Sequence, residues 1–508
     1  MVVPGPSRHG TPLMNSLSPL PFVFMATSIL LPITPSSAQE IDEAVRILPQ
    51  TVTEGGTFGN RFATEGEWLA IGADFDAEVI HQGRVEIYHR ESEDWVFHQE
   101  LQAPDGFEGD HFGLPVSIRG DRMLVGMPWD DERGNRSGAV HVYRLVSGDW
   151  IWSQKLIAGV LDNTGALFGA SCSFGRDENE IIIGAVLESL ESDTEGGAWV
   201  FRDSGDDYVL RQRLSLPGDQ PATYFGRSID VENGLLAIGA PGLAGDEGFR
   251  HGGVAIYSIQ NDQWSLGGVL IPANPIQYQV FGESLDLEGN HLAVGSPFES
   301  TFGEDFGAVH VYRMIGGIPL LESVFGPPEP VRSFGFPVRF DPSARRLVCG
   351  AYAATIEDRF QTGAAWIHER KDGNWNASTR LKAGNAGPGD FFGLDLAFNE
   401  DMVFVGVPRS DEAAVDAGGV AVFRLEDCDD SGYLDAWEID NGGDGDGNGE
   451  LDACEGLLGD LNGDGIIDGI DFGIFSGLWG TDGSLGGDLN GDGIVNGGDL
   501  ALILNGWT

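Results

Sequence analysis

From Glu426 onward the chain has no lysine or arginine and 20 aspartates and glutamates, and the spacing of these acids is the first pointer to chemistry. Four successive stretches place oxygen-bearing groups at positions 1, 3, 5, 7, 9 and 12 of a loop, with glycine at position 6. The first holds Asp427, Asp429, Ser431, the carbonyl of Tyr433, Asp435 and Glu438. The second holds Asp444, Asp446, Asn448, the carbonyl of Glu450, Asp452 and Glu455. The third holds Asp460, Asn462, Asp464, the carbonyl of Ile466, Asp468 and Asp471, and the fourth Asp488, Asn490, Asp492, the carbonyl of Ile494, Asn496 and Asp499. Hard oxygens at this spacing wrap one Ca2+, and the glycine permits the sharp turn. A bare acidic block would be a solvated, self-repelling linker, but four registers in succession argue for ion binding.

Position 8 is apolar in every loop (Leu434, Leu451, Ile467, Val495), as paired calcium loops need for a shared small core. Phe472, Ile474, Phe475, Leu478 and Trp479 after the third loop, and Leu500, Leu502, Ile503 and Leu504 after the fourth, have the spacing of short apolar helical faces. So few apolar side chains cannot oppose the mutual repulsion of the acids, so ion binding is expected to be coupled to folding of the tail.

Other chemistry is sparse. No CxxC or Cys/His zinc cluster occurs, and no GxSxG, HExxH or phosphate-loop motif. Cys172 and Cys349 are expected as buried free thiols, while Cys428 and Cys454 lie in consecutive acidic loops, either bonded or free. His141 and His310 occupy equivalent places, which packing explains. Acidic pairs such as Asp130-Asp131 could serve as acid and base on a sugar, although solvation accounts for them more simply.

The elements ahead of the tail repeat. Phe-Gly pairs stand at Phe58, Phe112, Phe168, Phe225, Phe281, Phe334 and Phe392, between 53 and 58 residues apart. In the copy from Phe225 to Pro241 an alternating run, an Asn233-Gly234 turn and an apolar run ending in Gly-Ala-Pro predict two strands joined by a hairpin. A third run follows a polar loop, and most copies end in a Trp-led fourth, as from Trp95 to Leu101 and Trp150 to Leu156. Seven copies of four strands predict an all-β, seven-bladed β-propeller. The seventh copy lacks a fourth strand, and Ala44 to Gln50 resembles one, so the N-terminal strand is expected to close the ring; a plain leader is the alternative. The repeated Phe is expected to fill the space between sheets, and the Gly to allow close approach or positive φ.

Phe-Gly, Leu-Ala-Ile-Gly-Ala-Pro and Gly-x-Val-x-x-Tyr, as in residues 225–257, resemble the FG-GAP repeat family, which includes the seven-bladed head of integrin α chains; the likeness covers about residues 44–425. Members of that family often hold calcium in a DxDxDG-like loop after Gly-Ala-Pro. Here the corresponding loops, 74–82, 129–137, 187–196, 242–251, 298–306, 353–362 and 409–417, are acidic but irregular. They should share one rim and are the candidate ligand-facing surface. The duplicated GDLNGDGIIDGIDF and GDLNGDGIVNGGDL resemble a type I dockerin, and the pair before them is similar to thrombospondin type 3 or EF-hand-like calcium repeats. Dockerins often read a cohesin through hydroxyl residues at loop positions 10 and 11. Here Gly469-Ile470 and Gly497-Gly498 stand there, which departs from that pattern.

A net charge of −50, from 29 basic against 79 acidic side chains, argues against nucleic acid and anionic membranes as partners. Arg8, the apolar run Leu20 to Ile33 and Ser36-Ser37-Ala38 read as an export signal, with an uncleaved anchor as the rival. The resulting division is a signal peptide over 1–38, a propeller over 39–426 closed by its own N-terminal strand, paired calcium loops over 427–456, and a small α-helical dockerin-like module over 457–508. The expected protein is secreted or surface-bound, a monomer, and non-catalytic. Its loop face takes a protein or glycan ligand, and its calcium-stabilised tail docks to a cohesin-like or surface protein. The alternative is a polysaccharide-active hydrolase or lyase with its site at the central channel.

Overall fold

The computed structural model describes residues 22–25, 39–75, 82–92, 94–159, 164–188, 195–205, 207–218, 222–245, 248–371, 374–425, 434, 461, 469–481, 487, 489 and 493–505. Its strands form seven antiparallel four-stranded sheets, two of which carry an added fifth strand. The innermost strands follow one another around a closed ring, the seventh against the first. This is the seven-bladed all-β propeller that the repeats predict.

Blade 4 shows how the sequence builds each unit. Ile229–Glu232 turns through Asn233 and Gly234, at φ 50 and 74°, into Leu235–Ala240. Two consecutive residues in the left-handed region match the right-handed twist of the flanking strands. Gly253–Gln260 and Gln263–Ile271 complete the sheet. Phe225 is fully buried between sheets, as are its six counterparts to within 1%. Gly226, at φ +92°, lies where a Cβ would stand 2.5 Å from the Gly197 carbonyl of the preceding blade, so only glycine lets the backbones meet.

The ring closes as expected: Val45–Ile47 pairs antiparallel with Val420–Arg424 as the outer strand of blade 7. The sequence does not foreshadow the segment just before it. Gln39–Asp42 runs parallel along Asn374–Lys382, the outer strand of blade 6, with Glu40 3.1 Å from Lys382. One stretch therefore straps blade 6 to blade 7. Within the expected signal segment, Phe22–Met25 pairs parallel with the outer strand of blade 4; the rest of 1–38 lies outside the described residues.

Repeated side-chain clasps join the blades. On the outer strands, Gln154 Nε2 donates to the Tyr208 carbonyl at 3.0 Å while its Oε1 accepts from Tyr208 N at 2.8 Å. Gln99 does the same to Trp150, and Gln212 to Trp264. Between blades 4 and 5, Gly268 replaces the glutamine and Pro319, which has no N–H, replaces the aromatic residue. A largely apolar cavity of about 740 Å3, lined by Leu235, Ile256, Tyr257, Met314 and Ile318, lies at that seam.

Candidate functional site

The innermost strand starts just after the Phe-Gly pair in six blades and at Phe168 itself in the third, so equivalent positions stack as rings along the axis. Arg61, Arg227, Glu283, Phe336, Arg339 and Asp395 line an upper chamber of about 150 Å3, together with Cys172 and small serines. Glu65, Arg119, Asp230, Glu232, Asp286 and Glu288 line a lower chamber of about 470 Å3 toward the strand-one hairpins.

Several of these acids bolt the ring together. Asp230 accepts from Leu287 N at 2.6 Å, Asp286 from Phe340 N at 2.7 Å, and Asp395 from Phe62 N at 3.0 Å, each reaching the next blade. Burial, then the neighbouring Asp230, pushes the Asp286 carboxyl up to about 8. Burial, followed by Glu232, Asp230 and Asp341, pushes Glu288 up to about 7. The lower chamber therefore holds carboxyl groups that exchange protons near neutrality.

The arginines are compensated unequally. Arg227 Nε donates to Glu283 at 2.8 Å. Arg339 Nη1 donates to the Val338 carbonyl at 2.8 Å and stands 3.8 Å from Asp286. Arg61 Nη1 donates to the Asn60 carbonyl at 2.6 Å. Burial lowers the Arg61 pKa; Asp395 opposes that shift, and Arg227 and Arg339 add to it. Cys172 and Cys349 are free thiols as expected, although Cys172 is half-buried on the channel wall, where burial pushes it up to about 12.

The rim loops gather on one face. The glycine that ends a loop lies beside the Phe of the next blade in the pairs Gly196/Phe225, Gly252/Phe281, Gly307/Phe334, Gly363/Phe392 and Gly418/Phe58. Acids at the loop starts are buried anchors. Asp74 stands 3.0 Å from His111 and accepts from Asn60 at 2.7 Å. Asp130 pairs with Lys155 at 2.7 Å, so it is not the solvated acid the sequence suggests, and Glu299 meets His310 at 2.8 Å.

Sequence reasoning missed the aromatic residues of this face. Phe107, Tyr278 and Phe360 are 76%, 63% and 67% exposed, and Phe249 and Phe298 are exposed as well, in loops equivalent to that of Phe360. Nearer the axis, Tyr352 lies 5.7 Å from Phe336 and 6.1 Å from Phe391 between ring centroids. Arg227 and Arg409 lie over the outer two rings at 5.9 and 4.8 Å. No repeat pattern marks these residues; only their type was visible.

Of the expected calcium ligands, Asp471, Ile494, Asn496 and Asp499 are described; the others, with Cys428 and Cys454, lie outside the described residues. Asp471 and Asp499, both at position 12, are fully buried. Each Oδ1 accepts from the position-2 amide of its own loop, Leu461 N and Leu489 N, at 2.8 Å. Asp499 Oδ2 also accepts from Asn496 N at 2.7 Å, and Asn496 Nδ2 donates to the Ile494 carbonyl at 2.8 Å. The two buried carboxylates take the same pose at the same loop position, and among the described residues no group of three or more His, Cys, Asp or Glu converges.

The tail core is narrower than its sequence suggests. Phe475, Val495 and Ile503 are buried together, with Leu461, Leu478, Leu489 and Leu500 packed around them. Phe472 and Ile474 of helix Gly469–Leu478, Trp479 just after it, and Leu504 of helix Gly497–Asn505 are exposed instead. Leu434 is buried in a cluster that holds Val407, Phe423 and Leu425 of blade 7, and its expected loop partner Leu451 lies outside the described residues.

A family model described as FG-GAP repeat matches residues 95–143, from the outer strand of blade 1 to the third strand of blade 2. No curated protein matches the chain. Among solved structures, Chaetomium thermophilum Sqt1 is similar at 14% identity, over 72% of this chain and 81% of that one, with a TM-score of 0.41. The β-propeller domain of the Trilobed protease from Pyrococcus furiosus is similar at 10% identity, over 70% and 91%, with a TM-score of 0.43. The acylaminoacyl peptidase of Pyrococcus horikoshii is similar at 9% identity, over 71% and 49%, with a TM-score of 0.42. Likeness at these values carries nothing about chemistry. The chain is a seven-bladed β-propeller with an FG-GAP repeat match in its first two blades.

Proposed function

We propose that this is an exported, non-catalytic binding or adhesion protein whose loop face takes a protein or glycan ligand and whose tail docks it to another protein. The observation that carries the reading is the set of exposed aromatics, Phe107, Phe249, Tyr278, Phe298 and Phe360, all on the loop face. Large rings left in water on one face of a scaffold are typical of contact surfaces, for sugar faces and protein side chains alike. The tail reading draws on the exposed Ile470, Phe472, Trp479 and Leu504, an apolar surface on a small module. Calcium would be held by the four loops. When bound, it would neutralise the carboxylates; Asp471 and Asp499 would tie the loop starts to the helices through their amide contacts.

Glycan and protein arrays probed with the intact chain in calcium test the reading, followed by Tyr278→Ser and Phe360→Ser on any hit. Loss of binding in both variants, with unchanged circular dichroism, is expected. Hits that survive both substitutions would remove the loop face from the argument. A polysaccharide-active enzyme is the second reading, and Glu288, raised to about 7 beside Glu232, favours it as an acid-base pair. Reducing-sugar release from an array hit, abolished in Glu288→Gln, would establish that reading in place of the first.

A further inference from the structure

Carboxylates outnumber basic side chains 79 to 29, and sheltered arginines are accordingly paired with them. Arg84 lies 3.4 Å from Glu86, Arg176 2.6 Å from Glu180, and Arg346 3.2 Å from Glu369. Arg61 is the exception on the wall of the upper chamber. Among the described residues it makes no ion pair, and its one hydrogen bond is to the carbonyl of its own neighbour Asn60. Arg339 lines the same chamber and is nearly as poorly matched. Its Nη1 is on the Val338 carbonyl at 2.8 Å, with the Leu285 carbonyl at 3.4 Å, and Asp286 comes no closer than 3.8 Å. The nearby acids are otherwise engaged, Glu283 with Arg227 and Asp395 with the Phe62 amide.

Burial without an ion pair leaves Arg61 open to a partner from outside, and Arg339, whose side chain is 38% exposed, lines the same chamber. The planar fork of N–H donors on arginine matches a carboxylate in two bonds at once. The chamber volume of about 150 Å3 admits such a group with part of one ring, not a chain passing through. Phe336 lines the chamber, and Tyr352 meets its ring edge-on, with centroids 5.7 Å apart and planes at 72°. A carboxylate on the arginines with one ring stacked on Phe336 describes one end of an acidic sugar. The distant acids do not forbid this, because the screening length is about 8 Å at physiological salt.

We propose that the upper chamber is a subsite for the carboxylate of a terminal acidic sugar residue, held by Arg61 and Arg339 with its ring against Phe336. This rests on the loop face being the binding face, and names the ligand class that enters there.

Calorimetric titration of the intact chain in calcium with D-galacturonate, its methyl ester, D-galactose and N-acetylaspartate tests it. The free acid should bind at least about 10-fold more tightly than the ester or galactose, the scale of one lost charge-assisted pair. Arg61→Gln and Arg339→Gln should each erase that preference. Equal affinity for acid and ester would overturn the proposal without needing any variant to fold. Tighter binding of N-acetylaspartate would overturn it in favour of a peptide carboxylate. Neutral glycans captured on the array, with no preference for the acid, would remove this subsite and leave the loop face standing. No binding in either experiment would remove both.

Discussion

Gln154→Ala is the sharpest test of how the blades are held together. The substitution deletes both bonds to Tyr208, at 3.0 and 2.8 Å, and leaves its carbonyl and amide without their partner at a seam where Tyr208 is only 2% exposed. Each hydrogen bond contributes about 1 kcal/mol net, and an orphaned buried group costs about 1–3 kcal/mol. Water reaches part of this site, so a loss of about 2–3 kcal/mol is expected. Gln99→Ala and Gln212→Ala should fall in the same range, because the same pair of bonds recurs at Trp150 and Trp264. Ser323→Ala, at the equivalent place in blade 5 where no clasp is made, should change stability by less than about 0.5 kcal/mol. Urea denaturation followed by tryptophan fluorescence measures all four, at constant slope if the denatured state is unchanged. A Gln154→Ala protein as stable as the Ser323→Ala protein would refute the reasoning.

Three further outcomes are expected. Asp286 keeps its proton to about 8 in the native chain and loses it near the ordinary carboxylate value once unfolded, so native protein binds more protons between those limits and stability falls as pH rises through them. Asp286→Asn, which retains an acceptor for Phe340 N, should flatten the decline in Tm between pH 5 and 8; an unaltered slope would contradict this. Chelation should make residues 427–508 protease-sensitive and remove the circular dichroism of helices Gly469–Leu478 and Gly497–Asn505, while the propeller strands persist. Asp499→Ala should mimic the chelator in the fourth loop, and an identical digest with and without chelator would count against calcium. A chain beginning after residue 57 exposes the edge of Val420–Arg424, and should aggregate or unfold at lower urea; stability equal to the intact chain would rule out the closure.

Local chemistry accounts for what was legible beforehand. The Phe-Gly period gave the blade number because each unit repeats the same problem, a ring between sheets and a glycine where backbones touch, as at Phe225 and Gly226. Asn233-Gly234 marked its hairpin for the same reason: two left-handed residues are a property of the pair itself. The missing fourth strand of the last repeat even pointed to Val45–Ile47 as its replacement. That Leu434 packs with blade 7 was not legible, because position within a loop cannot say which core lies near it.

By itself, then, the sequence determined the repeat, the turns, the seven blades, their closure and the oxygen register of the tail, all set by residues within a few positions or by one recurring period. The tertiary structure alone decided what faces the channel and the loop side. Closing the ring brings the Phe62 amide to Asp395 across 333 residues of chain and sets Arg61 beside the same chamber as Arg339. It also collects Phe107, Tyr278 and Phe360 from loops of different blades onto one side. Such convergence depends on where each blade sits around the axis, and no spacing along the chain encodes it.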